Sequence, residues 1–268
     1  MAVLRTLILT PLGVIDAVKI HHITLSRKQL DLVPEPERRL LVLMAHAGNE
    51  LNVLSKLFHF SAKAASTTPI LQQAENAQSM VIGRLLTGKI YECWNLMQSA
   101  FFSSGLSKKY EPQFDKEAAE ALKALKRYFG RENLIEKVRN GHAFHYSTAQ
   151  IDAGYRTLLD GDPLEVYLAK ANANTVYTFA DTIAGRAMLE DIKPGDHQRA
   201  FEMLVEETSK TVGRINEVVG ATMTICFRTY FGGDLYALGA KVIDIQGAPD
   251  SQSVSIPYFI EIAEDNDA

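Results

Sequence analysis

Between Val138 and Tyr146 the chain reads VRNGHAFHY, which places a guanidinium, an amide and two imidazoles close together. Histidine titrates nearest neutrality, so it can take a proton from a hydroxyl and return one to a leaving group. Arginine stays charged and offers a forked pair of donors that matches phosphate oxygens. The RNA 2′-hydroxyl is a nucleophile built in beside its own phosphodiester, so cleavage there needs proton transfer and stabilisation of a charged phosphorane. Arg139 and His145 together supply that chemistry without a metal. On one regular helix they would point about 120° apart. Gly141, following the run NLIEKVRN, is expected to end the helix in a left-handed turn and let the histidines fold back toward Arg139. Two copies in a symmetric dimer could also pool their groups.

Other readings of the same residues stand beside that one. Arg139 and Asn140 have the composition of a helix end, where a cation complements the dipole and Asn caps. His142 and His145 could ligate a metal as a pair, but no nearby Cys or carboxylate completes the set, so neither metal nor cofactor is expected. Glu92 lies in RLLTGKIYECWNLM among Ile90, Cys93, Trp94 and Met97. A carboxylate there wants a partner, and Arg139 is a candidate.

The elements that must hold these groups are mostly helical. Apolar residues recur at three- and four-residue steps over 35–60, with Pro34 and Pro36 at the start, where a missing N–H is tolerated. Long helical patterns follow at 70–102, 114–129 and 197–230, and shorter ones at 133–140, 147–159 and 175–189. Asp115 reads as a cap and Gly130 as a stop for the segment between them. Beyond Gly232-Gly233, KVIDI (241–245) and VSIPYFIEI (254–262) flank the turn-rich QGAPDSQS and predict a C-terminal β-hairpin. The expected architecture is mainly α: an N-terminal arm or strand over 1–34, a helical domain over 35–230, and a small β appendage with an acidic tail over 231–268.

Composition narrows the function class. A net charge of −4 over 268 residues excludes a global basic field for nucleic acid, so any polyanion site must be local. Bases outnumber acids between Lys108 and Arg139, which points to the middle of the chain. The two cysteines, Cys93 and Cys226, sit in apolar runs and read as core thiols of a cytoplasmic protein. No run approaches the roughly 20 apolar residues of a membrane helix, and no membrane partner is expected.

Arg139-Asn140 followed by His145 resembles the R-x4–6-H motif of the HEPN superfamily (higher eukaryotes and prokaryotes nucleotide-binding), in which a polar residue usually follows the Arg. The resemblance rests on RNGHAFHY in its helical setting. It implies a helical bundle and a homodimer whose paired motifs form one cleft. It further implies metal-independent cleavage of RNA, often by toxins with a protein antitoxin or in phage defence; other members bind a nucleotide or a protein partner without cutting. By position, Arg139 would contact the scissile phosphate, Asn140 would orient or bind, and His145 would act as acid and base. His142, Tyr146 and Glu92 are the expected substrate-binding or supporting side chains.

Overall fold

The computed structural model describes residues 18–62, 68–144, 147–162, 164–233 and 240–262. The described chain is mainly α, as the periodicity predicts, with one small antiparallel sheet. It divides into two compact units, each assembled from three separate stretches.

The first unit takes Met1–Val53, Lys89–Asn133 and Glu207–Ser253. It holds strand β1 (Val18–His22), the single turn α1 (Arg27–Leu30) and most of α2 (Glu35–Ser61). It also holds the C-terminal end of α3 (Pro69–Leu96), which widens into a π segment over Met97–Phe102. Then come α4 (Ser107–Tyr110) and α5 (Lys116–Phe129). The core is the buried stripe Leu40, Met44 and Leu51 of α2 with Ile90, Met97 and Phe101 and with Leu122 and Leu125 of α5. Each such side chain, once buried, contributes roughly 1.5–3 kcal/mol. Trp94 stacks on Phe129 with ring centroids 4.7 Å apart. Asp115 caps α5 by accepting from the Ala118 N–H at 2.8 Å, and Lys126 and Arg127 lie in the last turn, where the dipole favours cations.

The second unit takes Leu54–Gly88, Leu134–Glu206 and Val254–Ala268. It contains α6 (Leu134–Val138), α7 (Thr148–Arg156), α8 (Thr178–Ile192) and the start of α9 (His197–Phe231). Val138, Met188 and Leu204 form its fully buried centre, flanked by Met80, Leu134, Leu189 and Ile192. Helices α7 and α8 pack backbone to backbone at Gly154: a Cβ there would lie 2.2 Å from the Ile183 carbonyl oxygen and 3.1 Å from the Ala187 Cβ. Gly154→Ala therefore forces the helices apart and is expected to destabilise by at least about 2 kcal/mol. Gly213→Ala meets nothing within 4 Å on α9 and is expected to raise stability by about 0.5–1 kcal/mol. Thermal melts of the two variants, moving in opposite directions from wild type, check the pair.

The β structure differs from the expected C-terminal hairpin. Lys241–Ile245, strand β2, pairs with β1 rather than with 254–262, in the register Val18↔Ile245, Ile20↔Ile243 and His22↔Lys241. The expected N-terminal strand is thus present at 18–22, and the apolar run before it lies outside the described residues. Pro257 explains the change: it has no N–H to give a ladder, and it divides the second β-branched run. Residues 254–262 belong to no strand and join the second unit instead.

Candidate functional site

Helix α6 buries one face, and the site grows from that face. Ile135 and Val138 are fully buried, and His142, four residues further on, continues the same stripe. Arg139 follows Val138 at a half-buried position, and Asn140 is exposed. The helix does not stop at Gly141. It widens into a π turn over Arg139–Ala143, and Gly141 is not among the described glycines with positive φ. The expected left-handed terminator is corrected accordingly: one widened turn carries Arg139, Asn140 and His142 together. Single π turns inside α-helices occur frequently at functional sites.

Within that turn, Nη1 of Arg139 donates to Oδ1 of Asn140 at 3.0 Å. An amide oxygen at that distance takes one of the five guanidinium donors. His145 and Tyr146 lie outside the described residues. Glu92 is half-buried on α3, in the part of that helix belonging to the first unit.

His142 has a partner that sequence reasoning missed. Its Nε2 lies 2.8 Å from Oδ2 of Asp191, near the C-terminal end of α8. Lys137 Nζ donates to the Asp191 backbone carbonyl, so α6 and its π turn are tied to α8 at two points. Burial is the largest influence on His142 and pushes its pKa down; the Asp191 carboxylate opposes this, while Arg84 and Lys137 act with burial, and the net shift is downward. The imidazole is therefore neutral near pH 7, and since a carboxylate only accepts, Nε2 carries the hydrogen. The sequence signal for Asp191 was its place. An acid in the last turn of α8 opposes the helix dipole and so needs a compensating partner.

The lowered pKa makes a stability prediction. In the unfolded chain His142 binds a proton below about its ordinary 6.5, while in the folded chain it stays neutral to lower pH. Stability is therefore present above that value and falls as pH drops toward the folded pKa. The melting temperature of wild type is expected to fall more between about pH 7.5 and about pH 5.5 than that of His142→Gln. Equal falls in the two proteins would remove His142 as the cause.

Thiol chemistry does not compete with this site. Cys93 and Cys226 are buried as expected, and burial pushes the Cys93 thiol up to about 12 and the Cys226 thiol upward too, so neither supplies thiolate near neutrality. Among the described residues no His, Cys, Asp and Glu group of three or more converges as a metal site requires. Nor is any described helix long and apolar enough to cross a membrane.

Comparison with family models, with curated proteins and with solved structures finds no match to the chain. The functional reading therefore stands on the residues themselves.

Proposed function

We propose that the chain is a metal-independent endoribonuclease of the HEPN type, acting as a homodimer on RNA. The observation that carries the reading is the π turn over Arg139–Ala143, which puts Arg139 and its hydrogen-bonded neighbour Asn140 on the segment that runs on in sequence to His145. In the proposed reaction His145 takes the proton of the 2′-hydroxyl as its oxygen attacks phosphorus. Arg139 stabilises the phosphorane, and the 5′-oxygen leaves with a returned proton. The products are a 2′,3′-cyclic phosphate and a 5′-hydroxyl. With such an activity goes a toxin or phage-defence role, with a protein antitoxin as partner.

The test is labelled RNA incubated in EDTA with wild type, Arg139→Ala and His145→Ala. Cleavage by wild type to cyclic-phosphate ends, lost in both variants, is the expected result. RNA or nucleotide binding without cleavage would replace the enzyme by the non-catalytic binding member of the same family. Cleavage that survives in both variants would remove the site altogether.

A further inference from the structure

Arg84 lies on the part of α3 that belongs to the second unit, and its side chain is only 21% exposed. Among the described residues it donates no hydrogen bond. Its one partner there is Asp181 on α8, with Nη2 of the arginine 3.9 Å from Oδ1 of the acid. Arg186 of the same unit, at 20% exposure, shows what a structural arginine at this depth does: Nη1 donates to the Thr157 carbonyl at 2.8 Å and Nη2 to the Asp162 carboxylate. A guanidinium largely withdrawn from water with none of its five donors bonded to protein is costly, and a carboxylate at 3.9 Å offsets that through charge alone. Asp181 is no better served. Burial pushes its carboxyl above the ordinary 3.8, and Arg84 opposes the shift without reversing it.

Close packing sets this loose pair beside the π turn. Gly185 brings α8 against α3, since a Cβ there would lie 3.3 Å from Met80 Cε. Arg84 is one turn beyond Met80 and Asp181 one turn before Gly185, so the two charges face each other across the same seam. On the next turn of α3 the ring of Phe144 covers Gly88, where a Cβ would lie 2.2 Å from Cε2 and 2.4 Å from Cζ. Phe144 closes the π turn that carries Arg139, Asn140 and His142. Arg84 therefore stands one helical turn from the point where that segment rests on α3, and its charge, like that of Lys137, acts on His142. The neighbouring carboxylate of Asp191 is engaged by His142 and leaves Asp181 to answer Arg84.

We propose that Arg84 binds a backbone phosphate of the RNA next to the turn that carries Arg139, and that Asp181 is an internal anion that holds its place until RNA displaces it. The identity of the ligand as RNA rests on the function proposed above. The ligand chemistry comes from Arg84 itself: phosphate oxygens accept two donors of one guanidinium at once, which Asp181 at 3.9 Å does not. The looseness of the pair is what makes exchange cheap. Two groups bonded as Arg186 and Asp162 are would have to part before a phosphate could enter.

The probe is a fluorescein-labelled single-stranded RNA, 2′-O-methylated throughout, so that the internal nucleophile is blocked and binding is read without cleavage. Anisotropy is measured on the full chain in EDTA over a range of salt. Arg84→Gln is expected to weaken binding about tenfold and to flatten the salt dependence by a slope of about 0.7, one phosphate contact on a single strand. Arg84→Lys keeps the slope and loses part of the affinity, because the charge stays and the fork goes. Asp181→Asn is expected to tighten binding about threefold, and the gain should vanish when Arg84→Gln is added. Wild-type affinity and slope in Arg84→Gln would overturn the phosphate contact. A gain from Asp181→Asn that persists without Arg84 would reduce the acid to general repulsion and overturn the exchange. Should Arg84→Gln fail to fold, Arg84→Lys and Asp181→Asn decide: unchanged binding in both overturns the proposal. Failure of the nuclease reading looks different, since the probe would still bind through Arg84 while unmodified RNA stays intact. Wild type that cleaves unmodified RNA but binds the probe no better than Arg84→Gln keeps the nuclease and removes this site, and wild type that leaves the probe free removes it too.

Discussion

Arg139→Ala is expected to lower RNA cleavage about 10²–10³-fold with the melting temperature little changed, and His145→Ala to lower it about 10²–10⁴-fold. The magnitudes follow from what each group does in the proposed step. A guanidinium aimed at the phosphorane acts where charge develops, and losing one such donor set removes transition-state stabilisation rather than substrate affinity. Arg139→Lys is expected to recover little, since an ammonium is a point charge and cannot present a planar fork of donors. Asn140→Ala leaves the charge but removes its hydrogen-bond partner, so its loss should be smaller, about tenfold. Stability should be spared because Arg139 is half-buried and Asn140 exposed, while Val138 and His142 beside them carry the packing. Rates measured under single-turnover conditions in EDTA, alongside thermal melts, separate the two effects. Arg139→Lys at the wild-type rate would sink the fork argument. A parallel loss of melting temperature and activity in Arg139→Ala would make the residue structural.

The helices of this chain were legible because their signals are local. Asp115 and Phe129 bound α5 as the cap and the glycine after it suggest, and of the apolar steps of 35–60 Leu40, Leu41, Met44, Leu51 and Phe58 are buried while Leu43 and Leu57 stay exposed. What escaped depends on partners distant in sequence. Gly141 carries the composition of a helix stop, yet α6 continues through it, with His142 and Lys137 both bonded to Asp191 far along the chain. A tertiary tie there outweighs the local preference. VSIPYFIEI has the residues of a strand, but β2 found β1 instead, and Asn174 and Gln78 bond the backbone of Ile260 and Ile256. Likewise His142, expected from the resemblance as a substrate-binding or supporting side chain, is buried with Nε2 2.8 Å from an Asp191 carboxylate oxygen. Charge placement within helices was the signal that could have found it, since Asp191 opposes the dipole of its own helix.

Glu37→Ala is expected to destabilise the chain by about 2–4 kcal/mol, read as a fall in melting temperature on the order of 5–10 °C. Glu37 lies in the first turn of α2, where the dipole favours an acid, but it is buried and would be unstable there alone. Three groups from two other helices satisfy it. Tyr110 donates to Oε2 at 2.6 Å and Tyr230 to Oε1 at 2.7 Å, while Lys109 Nζ reaches both oxygens at 2.9 and 2.8 Å and also donates to the Tyr230 oxygen at 2.6 Å. Lys109 is 39% exposed, so its charge is screened by solvent, and the energy resides chiefly in the hydrogen bonds. Removing the carboxylate leaves the Tyr110 hydroxyl buried without this acceptor, which is the expensive half of the change. Burial alone would raise the Glu37 pKa; the bonds from Lys109, Tyr110 and Tyr230 outweigh it and hold the carboxyl below its ordinary 4.5. That contribution is therefore full above about 4.5 and is lost as pH falls through the lower folded value, a window separate from that of His142. Acid unfolding followed by circular dichroism should show wild type losing stability below that point more steeply than Glu37→Gln, which keeps an oxygen for Tyr110 but has no proton to take up. Identical acid limbs in the two proteins would mean that this carboxylate is not what the low-pH transition reports.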